Sequence, residues 1–232
     1  MSSDFLAQKS RPDILKSNIY FFHKNKKMTI TTEQIKELRD NTGLSIMQCK
    51  KALEEADGDI IKATILLQKK GAGIAAKKAD RNLNAGRVSS YVHSTGNIAS
   101  LVELLCETDF VAKNEEFGAL AYNLAMQVAA TNPVYAKMSD IPEEARKEAE
   151  GAFAKEVEGL PALREQAGKP EDMKAKILEG KINAYFKEKV LTEQDYIKDP
   201  EKTVKNLLEA FIQKFGERTE IGRFTRIGVG QK

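Results

Sequence analysis

The sequence has few of the residues on which catalysis and metal binding depend. It contains no tryptophan, two cysteines and two histidines among 232 residues. Neither the pair Cys49 and Cys106 nor the pair His23 and His93 has the spacing of metal ligands, and no glycine-rich phosphate loop is present. No serine or cysteine has an identifiable base that would make it a nucleophile. An enzyme is therefore disfavoured, and we expect neither a metal nor a cofactor.

Long apolar runs and a strong excess of one charge are also missing. No apolar run approaches the roughly 20 residues of a membrane-spanning helix, so no membrane partner is expected. The 37 basic and 34 acidic residues are interspersed and leave a net charge of +3, which disfavours nucleic acid as a partner. The two cysteines fall on predicted apolar faces. This placement favours thiols in a reducing compartment over a disulfide and predicts a cytoplasmic protein.

The leading residues do not have the order of a secretory signal, because a short apolar patch at 19–22 precedes the basic residues at 23–27. We expect residues 1–27 to be a disordered extension without a folded role, or the product of an upstream start. A transit peptide is the alternative, which Asp4 and Asp13 disfavour.

Two alternating segments predict a β-hairpin from Arg87 to Thr108. Apolar and polar residues alternate on both sides of a turn-forming stretch at 94–97, which is the period of half-buried strands. Helical periodicity resumes after Asn114, which stands where a helix cap belongs. Residues Thr108 to Lys113 are therefore predicted to form an exposed elbow between a strand and a helix.

Residues 28–71 predict a module of three short helices. The first helix is expected to end at Gly43, and Ser45 with Gln48 three residues later is typical of a capping box at the start of the second. Asp59 is expected to cap the third helix. So small a module buries little surface, so its stability is expected to be marginal.

The third helix is expected to end at Gly71, and residues 72–86 to form a partly helical connector. Its apolar stripe is predicted to contain Ile61, Ile65 and Gln68.

The rest of the chain predicts a helical arm and a closing strand. From about 141 to 194 the chain is rich in Ala, Glu and Lys, and Gly-Lys-Pro at 168–170 predicts a turn between two helices that fold back on each other. Pro200 is expected in the first turn of a last helix, and a strand is expected from Arg223 to Val229. Residues 87–232 would form a core with this arm. The predicted fold class is α+β: a three-helix module followed by antiparallel strands with helices and a helical hairpin.

The elbow reads Thr-Asp-Phe-Val-Ala-Lys from Thr108 to Lys113. In this segment, which matches the family signature without change, and in two others the chain resembles the elongation factor Ts family of bacteria and organelles. Residues 38–59 are similar to the family's amino-terminal module, which itself resembles ubiquitin-associated domains. Segments similar to the family's carboxy-terminal portion lie at 181–185, 198–200, 202–204 and 223–230.

The resemblance implies a guanine nucleotide exchange factor for the GTPase elongation factor Tu. It would promote GDP release by disturbing the partner's Mg²⁺ and phosphate site, and the segment that does so would be Thr108, Asp109, Phe110 and Val111. Phe110 would act as an aromatic wedge, with Asp109 beside it perturbing the charge near the metal. From the residues alone, Phe110 is expected in the core under the following helix, and only the resemblance favours the wedge. Asp109 is from the residues alone equally compatible with a simple helix cap.

The resemblance also implies partner-docking residues outside the elbow, namely Arg39, Ile46, Met47 and Lys78. From the residues alone, Arg39 is a solvated charge and Lys78 belongs to a solvated linker. Ile46 and Met47 are then part of the module's core.

Longer members of the family carry a second, related core half, whereas this chain has one hairpin and one elbow. Three strands leave a sheet edge that invites pairing. A homodimer that completes the core across a two-fold axis is therefore a hypothesis. The alternative function is an adaptor whose helical bundle binds ubiquitin-like or helical partners without exchange activity.

Overall fold

The computed structural model of the protein describes residues 30–158 and 170–231. The predicted extension at 1–27 lies outside them. In chain order the elements are α1 (Thr32–Thr42), α2 (Ile46–Glu55), α3 (Ile60–Lys77), β1 (Ala85–Val92), β2 (Ile98–Cys106), α4 (Asp109–Ala112), α5 (Glu115–Thr131), α6 (Glu143–Glu158), α7 (Pro170–Lys189), β3 (Asp195–Tyr196), β4 (Asp199–Thr203), α8 (Val204–Phe215) and β5 (Thr219–Gly228). The predicted α+β class is confirmed.

The helix-terminal signals of the first three helices act as predicted. Ser45 and Gln48 form the capping box of α2, and the Asp59 side chain accepts the Lys62 N–H at the start of α3. Gly43 ends α1 in the left-handed conformation with φ 68°. The helices enclose a small core made of Leu38, Leu44, Cys49, Ala52, Leu53, Ala56, Ala63 and Leu67.

Two predictions for the third helix are wrong. α3 does not end at Gly71 but continues to Lys77, and Gly71 is buried where α3 packs against α8. A Cβ atom there would lie 3.4 Å from the backbone carbonyl of Glu209, so glycine permits the close approach of the two helices. Ile61 and Ile65 are exposed, because the inward face of α3 is formed by Ala63, Leu67 and Gly71 instead.

Three antiparallel strands form a sheet in the order β1-β2-β5, and the predicted hairpin is confirmed. One face of the sheet packs against α5 in a core that includes Val102, Leu104, Phe117, Leu124 and Val128. β5 begins at Thr219, earlier than the predicted Arg223, because its first residues pair with the end of β2 across a bulge at Val102/Leu104. The other face exposes the apolar side chains of Val88, Val92, Leu101 and Ile227.

The start of the last helix is also different from the prediction. Pro200 lies in β4, which pairs with β3 as a two-stranded ribbon, and α8 begins only at Val204. The Thr203 side chain accepts the Asn206 N–H at 3.2 Å and closes a capping box, so the helix starts where its first N–H groups find a partner.

The helices α6 and α7 pack together around Ile141, Ala149, Phe186 and Val190, as expected of the arm. Gly168 and Lys169 of the predicted turn lie outside the described residues, and the domain boundaries stay predictions. Within 30–158 and 170–231, no helix combines the length and apolar character needed to cross a membrane. Cys49 and Cys106 are buried free thiols, as predicted.

Candidate functional site

The predicted elbow is a single turn of helix held between two caps. β2 ends at Cys106, and Thr108 is the N-cap of α4, where its hydroxyl accepts the Val111 N–H at 3.5 Å. Directly after α4, the Asn114 side chain accepts the Glu116 N–H at 2.8 Å and starts α5, as predicted. The strand and the long helix therefore fix both ends of a four-residue helix.

This turn sends neighbouring side chains in opposite directions. Phe110 is 85% exposed, whereas Val111 and Ala112 are buried in the main core. The alternative that Phe110 is a core residue is therefore wrong. Val111 anchors the turn from below, and Phe110 projects into solvent above it. A large aromatic side chain that is exposed on a rigid support is typical of a contact with another molecule.

Asp109 also lies on the outside of the turn. Its carboxylate is 3.7 Å from the Lys113 amine, and both side chains are about four-fifths exposed. The alternative that Asp109 caps the helix is wrong, because the capping side chain is that of Thr108. Asp109 still lies in the first turn, where a negative charge is favoured by the helix dipole.

A second segment of the chain fastens the base of the elbow. The Glu217 carboxylate accepts the Thr108 N–H at 3.0 Å and the Thr108 hydroxyl at 2.6 Å. The Glu107 carboxylate, at the base of the elbow, accepts the N–H of Arg218 from the second segment at 2.6 Å. Each carboxylate thus holds the backbone of the other segment. Sequence reasoning missed this pair, because the partners are 109 and 111 residues apart and carry no spacing signal.

The base is also charge-paired. Arg81 contacts the Glu107 carboxylate at 2.9 Å, and Arg218 pairs with Glu220. Burial raises the pKa of Glu107, but the Arg218 N–H and the Arg81 guanidinium outweigh it, so the pKa lies below its ordinary value. Glu107 is therefore ionised at neutral pH and able to hold the Arg218 backbone.

Beneath the turn lies a protonated thiol. The Cys106 Sγ–H donates to the Thr108 carbonyl at 3.3 Å. Burial, together with the negative charge of Glu217, raises the pKa of Cys106 to about 11. The thiol is thus a structural donor at neutral pH rather than a nucleophile.

The remaining candidates lie away from the turn. Arg39 is exposed at the end of α1, and Ile46 and Met47 are exposed in the first turn of α2. The alternative that Ile46 and Met47 are part of the module's core is therefore wrong. Lys78 is half-buried, and its amine donates to the Gly216 carbonyl. The structure thus brings Lys78 beside the segment that fastens the elbow.

Among the residues that the structure describes, no cluster of three or more His, Cys, Asp or Glu side chains is arranged to hold a metal ion. What the elbow presents to another molecule is an exposed aromatic ring with a carboxylate beside it.

A three-helix module followed by a three-stranded antiparallel sheet with a helix-covered face defines an α+β protein whose strand-to-helix corner presents an aromatic side chain. The model of the Elongation factor TS family matches residues 20–231 of the chain. The chain belongs to the elongation factor Ts family, and thus to the factors of translation elongation in protein biosynthesis. The resemblance in the three motifs is confirmed.

Individual relatives agree with the family match. A protein named Elongation factor Ts from Maridesulfovibrio salexigens is 48% identical over 204 residues, which are 88% of this chain and 96% of the relative. A protein of the same name from Thermoanaerobacter sp. (strain X514) is 46% identical over 87% of this chain and 96% of its own. Another from Thermotoga petrophila is 45% identical over 88% of this chain and 98% of its own.

Proposed function

We propose that the protein is a guanine nucleotide exchange factor that binds elongation factor Tu and accelerates GDP release. The observation that carries the proposal is the 85% exposure of Phe110 on a turn fixed by a strand, a helix and a carboxylate clamp. It acts by binding and not by covalent chemistry, and its place of action is the cytoplasm, where translation takes place.

The proposed mechanism uses the rigidity of the metal site in the partner. A P-loop GTPase holds the phosphates through backbone N–H groups, a lysine and a Mg²⁺ ion that bridges two of the phosphates. Mg²⁺ requires near-ideal octahedral geometry, so a small displacement of the supporting loops weakens the binding of the ion. Phe110 inserts between elements of the partner near this site, and Asp109 brings a negative charge close to the metal. Thr108 and Val111 hold the backbone of the turn while this happens.

The energy for this displacement comes from binding. An acceleration of GDP release by ~10⁴ corresponds to about 5.5 kcal/mol of barrier lowering, which exceeds what one aromatic contact supplies. The proposal therefore includes docking by the module through Arg39, Ile46 and Met47, with Lys78 as a further contact. By linkage, GDP weakens the binding of the factor by the same ratio as the factor weakens the binding of GDP.

We propose in addition that two copies of the chain associate through the exposed face of the sheet. Val88, Val92, Leu101 and Ile227 are exposed apolar side chains on three neighbouring strands, and such a face is normally covered by a second layer. A second copy is the occupant that matches the family resemblance, since longer members carry a second core half in the same chain. A two-fold arrangement would place the same patch on both partners.

Fluorescent GDP bound to elongation factor Tu provides the test. After mixing with excess unlabelled GDP, the chain is expected to increase the rate of fluorescence loss in a saturable manner. Formation of a complex without faster release would instead support the adaptor. If neither binding nor release is observed with an active partner, the exchange proposal is wrong.

A further inference from the structure

We propose that Glu217 is a positioning residue that sets the orientation of Phe110 for exchange. This inference rests on the proposed function, because it assigns Glu217 a role in the action of Phe110 as a wedge. Glu217 lies in the turn between α8 and β5, far from the elbow in the sequence.

The contacts of Glu217 are directed at the first residue of the turn. Its carboxylate accepts both the N–H and the hydroxyl of Thr108, at 3.0 and 2.6 Å. Hydrogen bonds to an ionised carboxylate are shorter and stronger than those between neutral groups. Two such bonds from one carboxylate restrain both the position of the Thr108 backbone and the rotamer of its side chain. That same hydroxyl caps α4, so the restraint passes to the helix that carries Phe110.

The helix α4 needs an external restraint of this kind. One helical turn of four residues is too short to be stable by itself, because helix nucleation is unfavourable. Val111 and Ala112 anchor the inner side of the turn in the core. Glu217 restrains its beginning on the outside, where the side chain of Phe110 is 85% exposed.

The residues on either side of Glu217 are themselves held by further hydrogen bonds. The Arg218 N–H donates to Glu107, and the Arg218 guanidinium donates to the Arg81 carbonyl. The Lys78 amine donates to the Gly216 carbonyl. Glu217 therefore links the elbow to a turn in which both neighbouring residues, Gly216 and Arg218, are also held. The contact to Gly216 comes from Lys78, in the connector that follows the helical module.

The role of Glu217 in exchange is separable from folding. Its hydrogen bonds to Thr108 lie at an exposed site, where water replaces a lost partner at low cost to stability. The rate of exchange is more sensitive to geometry than stability is, because a displacement of about 1 Å at a functional group lowers a rate by up to about 100-fold. Loss of Glu217 is thus expected to change the rate of exchange more than the stability of the fold.

The test measures fluorescent GDP release from elongation factor Tu over a range of factor concentrations for the full chain and its variants. We expect Glu217→Ala to lower the maximal rate at least about fivefold. The half-saturating concentration should change less than about twofold, because the module still docks. Glu217→Gln keeps the length and an acceptor for the Thr108 N–H, and should retain at least about half of the maximal rate.

A double variant separates positioning from general damage. If Glu217 acts through Phe110, adding Glu217→Ala to Phe110→Ala lowers the rate no further. Thr108→Val removes the hydroxyl that donates to Glu217 and also caps α4, so it should lower the maximal rate as well. Asp140→Ala is the matched control: it removes a carboxylate that accepts the Lys137 N–H at 3.0 Å and does not contact the elbow, so the exchange rate should stay unchanged.

The outcomes distinguish this inference from the proposed function. A slow Phe110→Ala with a fully active Glu217→Ala overturns the positioning role alone. The same holds if Glu217→Ala lowers the rate equally with and without Phe110, or if Glu217→Ala unfolds while Thr108→Val is fully active. A fully active Phe110→Ala overturns the proposed function and the inference together.

Discussion

At the residue scale, Thr108 connects three parts of the corner. Its hydroxyl accepts the Val111 N–H, its N–H and hydroxyl donate to Glu217, and its carbonyl accepts the Cys106 thiol. The alternating pattern before it and the cap at Asn114 were sufficient to predict the position of this corner. The Glu217 contact could not be predicted, because it joins residues 109 positions apart.

Exposure of Phe110 is another property that the residues alone leave open. Phe110 and Val111 are adjacent apolar residues, and either one is suited to a core. The choice depends on the helical turn that starts at Thr108, since that turn directs Val111 inward and Phe110 outward. The predicted exposed elbow did not include this helical turn, so it could not specify the direction of either side chain.

The buried thiol leads to a prediction about reactivity. The pKa of Cys106 is raised from 9.0 to about 11, so its thiolate fraction at pH 8 is about 100-fold lower than in the unfolded chain. A Cys49→Ala variant should therefore react with a maleimide at least about 100-fold more slowly when folded than in denaturant. As the pH rises above 9, the unfolded chain gains thiolate first, and the stability contributed by this group decreases. Equally fast labelling of the folded and unfolded chains at pH 8 would contradict this account.

At the element scale, three helix starts were predicted correctly from the polar side chains that cap them. Ser45, Asp59 and Asn114 all act as caps in the structure. Gly71 was misleading, because a glycine is compatible both with the end of a helix and with a close helix contact. Only the presence of α8 next to α3, which is a tertiary property, decides between the two.

The start of α8 gives a prediction about stability. Pro200 suggested an earlier start, but the cap is provided by Thr203, whose side chain accepts the Asn206 N–H at 3.2 Å. Thr203→Ala should lower the free energy of unfolding by about 1 kcal/mol in urea denaturation, whereas Thr203→Ser should retain most of it. Equal stability of the alanine and wild-type chains would show that the helix does not depend on this cap.

At the scale of the whole molecule, the fold class followed from the order of helical and alternating segments. The β3–β4 ribbon was missed, because Asp199, Pro200 and Glu201 have low strand propensity. The family and the partner were inferred from three motifs and not from the fold, since the same α+β architecture serves many functions. The exposed sheet face could not be identified before the register of β5 was known.

This face provides the test of the proposed dimer. Leu101 lies on the central strand of the exposed face, so Leu101→Glu should convert a dimer at micromolar concentration into a monomer in sedimentation equilibrium. Val134→Glu is a matched control, because Val134 is similarly exposed but lies outside the sheet. A monomeric wild-type chain at this concentration would contradict the proposal.

The substitution Phe110→Ala tests the central claim most directly, by comparing the maximal rate of GDP release from elongation factor Tu with the free energy of unfolding. Loss of the ring should slow release about 10- to 100-fold, the rate equivalent of about 1.5–3 kcal/mol of lost apolar burial. The free energy of unfolding should change by less than about 0.5 kcal/mol, because the side chain is 85% exposed in the free protein. Val134→Ala, a control at another exposed apolar position, should change neither quantity. A fully active Phe110→Ala chain would contradict the account, as would a destabilised chain whose folded fraction has the wild-type rate.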